Sequence, residues 1–252
     1  NTRGYAMGLA LVAIMIFFAI LTDGMLFMPL NITNLILQNS YVFILGMGML
    51  LCILSGGNID LSVGSIVAFI GALCGNLIVN MGINVWISIG IALLVGLAIG
   101  AWQGFWIAVV KIPSFIVTLA GMLVFRGLTL VILNGRTIGP FPESFQAISS
   151  GFISDYIYDG ELHFITLGLG AVFSIAYIIS TLNKGRQSKK YGVETGSVVL
   201  QVIKVLVMLV LINGISWVIA SYKGISVIMI ILMTLVFIYY IITKHSTFGR
   251  HI

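Results

Sequence analysis

Residues 55–65 read Ser55-Gly56-Gly57-Asn58-Ile59-Asp60-Leu61-Ser62-Val63-Gly64-Ser65, a polar, glycine-rich island between two long apolar runs. Those runs are drawn at about 35 to 55 and 61 to 79. Each is long enough to cross a hydrocarbon core as a helix, which takes about 20 apolar residues. An aspartate, an asparagine and serines at the mouth or within the depth of a bilayer are costly unless protein or water satisfies them, so the island is where function is expected to concentrate.

Working outward, the same reading repeats along the chain. Of the 252 residues, 60% are hydrophobic and only 8% charged, against roughly 25% charged in an average soluble domain. The pattern predicts an all-α, polytopic transmembrane helical bundle. About eight spans are drawn, at 4 to 26, 35 to 55, 61 to 79, 83 to 110, 115 to 133, 164 to 182, 197 to 221 and 225 to 243. The alternating segments of about ten residues that mark a transmembrane β-barrel are missing.

The net charge of +5 does not point to nucleic acid, because the basic residues sit in short loops between apolar runs. With the N-terminus placed in the cytoplasm, the inner loops hold Arg3, Lys111, Lys184, Arg186, Lys189, Lys190, Lys244 and Arg250. The outer loops hold only Arg136 and Lys223. That asymmetry predicts an N-in orientation. The cluster between Asn183 and Gly196 reads as a topology anchor beside anionic lipid. Lys204 lies near the start of its span and can snorkel. Arg126 falls inside a span, toward its outer side, and calls for a charge partner or an interfacial site. Asn134 to His163 is a long outer loop rich in acidic and aromatic residues, read as a connector or a landing surface for an extracytoplasmic partner.

Several chemistries are excluded. There is no Gly-x-x-x-x-Gly-Lys-Ser/Thr phosphate loop, so no ATP binding by that route is expected. His163, His245 and His251 are scattered over loops, and Cys52 and Cys74 lie in apolar runs and read as packed thiols. No nucleophile motif stands out and Asp60 has no nearby carboxylate partner, so an enzyme is not expected and no cofactor is assigned to the chain. The first apolar run is too long for a secretory signal. The chain opens on Asn1 rather than methionine, so its natural N-terminus is expected upstream. Gly96, Gly100 and Gly104 repeat at four-residue spacing, which predicts close helix packing.

Residues 54–65 resemble the permease subunits of ribose-, xylose- and galactose-type ABC sugar importers. A second block, Lys111-Ile112-Pro113-Ser114-Phe115-Ile116-Val117-Thr118-Leu119-Ala120-Gly121-Met122 running on to Phe125-Arg126-Gly127-Leu128, resembles the same family. So does Thr247-Phe248-Gly249-Arg250-His251-Ile252 at the end, and the finer likeness is to the xylose or multiple-sugar subgroup. The resemblance implies one transmembrane permease domain over residues 1–252. Family members have about ten spans, and their segment like Phe248-Gly249-Arg250 leads into a loop that docks on the ATPase. The chain is therefore expected to lack that loop and the last spans.

The implied partners are an ABC ATPase carrying ATP and Mg, an extracytoplasmic sugar-binding protein, a second permease chain and membrane lipid. The implied place is the bacterial inner membrane, and the implied activity is import of a monosaccharide. Candidate pathway or helix-break residues are Asn58, Asp60, Ser62, Ser65, Phe115, Thr118, Phe125 and Arg126, with Phe248, Gly249 and Arg250 flanking the ATPase contact. The island is expected to end a helix at its glycines, with Asp60 capping the helix that follows. A branched-chain amino-acid permease is the rival within transport; a membrane scaffold or receptor subunit is the rival outside it.

Overall fold

The computed structural model describes residues 2–153, 162–190, 198–247 and 249. The helices run α1 Thr2–Leu21, α2 Pro29–Leu54, α3 Val63–Gly75, α4 Val85–Ala108 and α5 Ser114–Leu133, then α6 Glu143–Ser150, α7 Phe164–Lys190, α8 Val198–Ala220 and α9 Val227–His245. Among the described residues the extended structure is a single bridge between Phe152 and Ser226. Among the described residues seven helices are long and apolar enough to span a membrane, and the apolar part of α1, Ala6–Leu21, is shorter than these. The protein is a multi-pass helical membrane protein.

Helix ends follow local chemistry. Proline opens α2, where its fixed φ suits the first helical position and its missing N–H costs nothing. Pro113 stands one residue outside α5, with extended backbone at φ −53° and ψ 133°, rather than inside its first turn. Lys111 takes a left-handed φ of 67° to turn the chain between α4 and α5. Asn84 caps α4 by accepting the Trp86 N–H at 2.9 Å. The helical backbone of α7 runs on through the basic residues to Lys190, where a loop from Asn183 was expected, because Lys, Arg and Gln are good helix formers.

The chain divides into two compact units, one of Asn1–Gln38 with Phe152–Val227 and one of Asn39–Gly151 with Ile228–Ile252. In the first, α7 packs on α8. Asn213 Nδ2 donates to Ser174 Oγ at 2.9 Å across this pair. One helical turn away, a β-carbon on Gly170 would overlap Ser216 Oγ and come within 2.6 Å of its Cβ. Gly170→Ala should therefore force the helices apart and cost about 1.5 kcal/mol, within the range for overpacking. Thermal unfolding of the purified protein checks this; an unchanged midpoint would show that the contact is slack. The loop after α8 is tied down by Ile153 N–H to Ile225 O at 3.0 Å and His163 N–H to Ala220 O at 3.1 Å.

In the second unit α3 packs against both α5 and α4, and α4 against α5. Cys74, Ile78, Val85 and Ala92 form its buried core, joined by Phe141 and Phe145 from the segment after α5. Those two rings stack at 4.9 Å, and Phe141 lies on Gly75. The long loop after α5 thus contains a helix, α6, and apolar anchors, while its acidic stretch 154–161 is outside the described residues. A π-helical turn, Asn76–Asn80, widens the end of α3.

Close packing at Gly96, Gly100 and Gly104 holds only for the first. A β-carbon on Gly96 would lie 3.2 Å from Ile70 of α3, whereas Gly100 and Gly104 have no neighbour within 4 Å. A four-residue step turns about 40° past a full helical turn, so the stripe drifts off the face. That buried face instead follows Ser88, Ala92, Ile99 and Gln103.

Candidate functional site

The island separates α2 from α3 by a backbone that glycine makes accessible. Gly56 and Gly57 take φ of 129° and 73°, values that cost an L side chain dearly. The Gly57 N–H closes the end of α2 on Ile53 O at 2.7 Å, and Ser55 Oγ donates to Cys52 O. The chain then runs through Asn58 to Leu61 without helix.

Two side chains of α5 hold that run. Ser114 Oγ accepts the Ile59 N–H at 3.3 Å, and Thr118 Oγ1 donates toward Ile59 O at 3.2 Å. Ser114 and Thr118 are one turn apart, so the helix presents both to the two backbone groups of a single residue. Thr118 also reaches Ser114 O at 2.9 Å, and it is 2% exposed. The two sequence blocks, about fifty residues apart, are thus bound to each other through Ile59.

At the start of α3, Asp60 Oδ1 accepts from Ser62 N–H at 2.8 Å and from Ser62 Oγ at 2.6 Å. Asp60 does not cap α3 as expected: Ser62 occupies the N-cap position, and the carboxylate, two residues earlier, holds Ser62 instead of the N–H groups of the first helical turn. Ser62, fully buried, also takes Gln103 Nε2 at 2.9 Å from α4. Gln103 Oε1 stands 3.3 Å from the same hydroxyl. A hydroxyl has one proton, and the shorter, charge-assisted contact to Asp60 takes it. The result is a directed chain, Gln103 amide to Ser62 hydroxyl to Asp60 carboxylate.

Gln103 was not legible as a site residue. Its signal was a lone amide in a 24-residue apolar helix, 5% exposed. Room for it is made by Gly121 of α5, where a β-carbon would overlap Gln103 Nε2 and lie 3.5 Å from Ser62 Cβ. Gly121→Ala should displace the amide and cost about 1 kcal/mol, the scale of interhelical hydrogen bonds in membranes. In a Gln103→Ala background the same change should cost close to nothing, since the obstructed group is gone. Equal costs in both backgrounds, read from unfolding midpoints, would overturn this assignment.

The other candidates scatter. Asn58 and Ser65 are half-buried and stand outside these contacts. Phe125 is packed between α5 and α3, its ring 5.4 Å from Phe69, and does not face an open path in this structure. Phe115 and Arg126 are exposed on α5. Gly249 N–H meets Ser246 Oγ at 3.1 Å, while Phe248 and Arg250 lie outside the described residues. No group of three or more metal-ligating side chains occurs among the described residues. The site can position backbone and set a helix break; its hydroxyl–carboxylate pair, Ser62 with Asp60, is held at the start of α3 with Ser62 fully buried.

Residues 31–252 match the family described as branched-chain amino acid transport system / permease component. The chain belongs to this family. Over all 252 residues it is 31% identical to the xylose transport system permease protein XylH of Haemophilus influenzae, covering 65% of that protein. It is equally similar to XylH of Escherichia coli K12, covering 62% of it. Over 110 residues, 44% of the chain, it is 47% identical to the ribose import permease protein RbsC of Bacillus subtilis, covering 34% of that protein. The chain thus spans less than two thirds of the length of the full-coverage relatives. No solved structure matches it.

Proposed function

We propose that this chain is the membrane-spanning permease subunit of an ATP-driven importer that passes a monosaccharide, of the pentose class first, from a soluble binding protein into the cytoplasm. What carries the reading is similarity along the whole chain to proteins named as xylose permeases. The clamp on Ile59 adds a physical reason for the two shared blocks to occur together. The subunit does no covalent chemistry. ATP and Mg belong to a separate ATPase, and Phe248, Gly249 and Arg250 flank its docking loop. A second copy completes the pore, the N-terminus faces the cytoplasm, and the setting is the bacterial inner membrane.

The matching family is described by branched-chain amino-acid transport, which makes an amino acid the second reading. Such a substrate needs countercharges for both its ammonium and its carboxylate, whereas a sugar needs hydroxyl-matching polar groups. The deciding experiment is uptake into proteoliposomes holding the full-length permease with its ATPase and binding protein. ATP-dependent accumulation of labelled xylose or ribose, with no leucine uptake, is expected. Leucine uptake without any sugar uptake would reverse the assignment.

A further inference from the structure

Arg126 is an exposed guanidinium within a candidate span. At 1.5 Å per residue it lies about 10 Å along the axis from Leu133 and about 18 Å from Ser114, well inside the helix. Phe115, Leu119, Leu123 and Leu130 fall within about 60° of it around α5, and all four are exposed. A charge emerging from an apolar, outward face is costly in hydrocarbon and requires an anionic or water-bearing partner. None of the seven acidic residues of the chain lies in a candidate span. A second copy therefore brings no carboxylate from these seven spans to this depth, and it would bring its own Arg126. A neutral sugar supplies no countercharge.

We propose that Arg126 binds a membrane phospholipid through its phosphate, with the acyl chains lying along the face of α5 that carries Leu123, Leu119 and Phe115. The planar guanidinium matches two phosphate oxygens, and the side chain can reach up the helix while the headgroup is drawn inward. The surrounding leucines and phenylalanine suit acyl chains, so a single ligand meets both the charged and the apolar parts of the surface.

The test uses the full chain in maltoside micelles with added dioleoyl phosphatidylglycerol, read by native mass spectrometry. The wild type should retain a lipid adduct, Arg126→Gln should bind it about tenfold more weakly, equivalent to the loss of one strong polar contact, and Arg126→Lys, which keeps the charge and loses the two-pronged geometry, should fall between the two. On the wild type alone, phosphatidylglycerol should raise the unfolding midpoint while dioleoylglycerol, which has the same chains and no phosphate, should not. This second measurement decides the matter if Arg126→Gln does not fold. Undiminished binding by Arg126→Gln, or equal stabilisation by dioleoylglycerol, overturns the proposal. So does a shifted monomer–dimer balance in Arg126→Gln with lipid binding unchanged, which would place Arg126 against a second copy.

Discussion

Ser62→Ala is expected to lower the stability of the purified protein by about 2 kcal/mol, a large loss for one hydroxyl. Two terms add. The buried Gln103 amide loses the acceptor it reaches at 2.9 Å, and an orphaned donor costs about 1–3 kcal/mol. Asp60 loses the shorter of its two bonds to Ser62 while keeping the backbone N–H at 2.8 Å. Membrane hydrogen bonds measured by mutant cycles average only about 0.6 kcal/mol, so the desolvated amide is the larger part. That fixes a sign. Gln103→Leu alone should be close to neutral, because Ser62 still donates to Asp60 and the apolar side chain fills similar volume. Added to Ser62→Ala, it should restore about 1 kcal/mol by removing the stranded group. Thermal unfolding of the four proteins checks this. A double variant less stable than Ser62→Ala would mean that Gln103 acts elsewhere.

The parts of this arrangement that sequence reveals are those with local causes. Gly56 and Gly57 announce a break because only glycine takes such φ values freely, and Asp60 and Ser62 stand at the right distance to start a helix. Long apolar runs announce spans. What stays hidden depends on partners far along the chain. Gln103 meets Ser62 across 41 residues, and Gly121 leaves space for an amide of another helix. Nothing in the neighbours of either residue encodes that meeting. The Gly96, Gly100 and Gly104 stripe misleads for the complementary reason: spacing is local, but which azimuth of α4 faces α3 is set by packing. Phe125 and Phe115 are likewise the same residue type on one helix, and the fold alone buries one and exposes the other.

Thr118→Val should free the segment between the two glycines and α3 at nearly constant volume. The hydroxyl has one proton and reaches both Ser114 O, at 2.9 Å, and Ile59 O, at 3.2 Å. Ser114 O lies in the first turn of α5, where the ordinary i to i−4 backbone bond can serve it. The Ile59 carbonyl lies outside any helix and has no such ladder. The shorter distance is therefore not the more valuable one: what valine removes is the tie between α5 and the island. The expected cost is about 1 kcal/mol, the low end of the range for stranding a polar group, because the contact is only part-buried. Ser114→Ala should cost less, since its bond to the Ile59 N–H is longer, at 3.3 Å, and Ile59 is exposed. Thr118→Ser, which keeps the hydroxyl, should restore most of the loss. Hydrogen exchange over residues 55–62 reads the tie directly, with the Thr118→Val protein exchanging about tenfold faster there. The helical interiors of α4 and α5 should keep their protection. Faster exchange throughout α5 would instead mean that Thr118 serves only its own helix, and the link between the two blocks would be packing without a polar clamp.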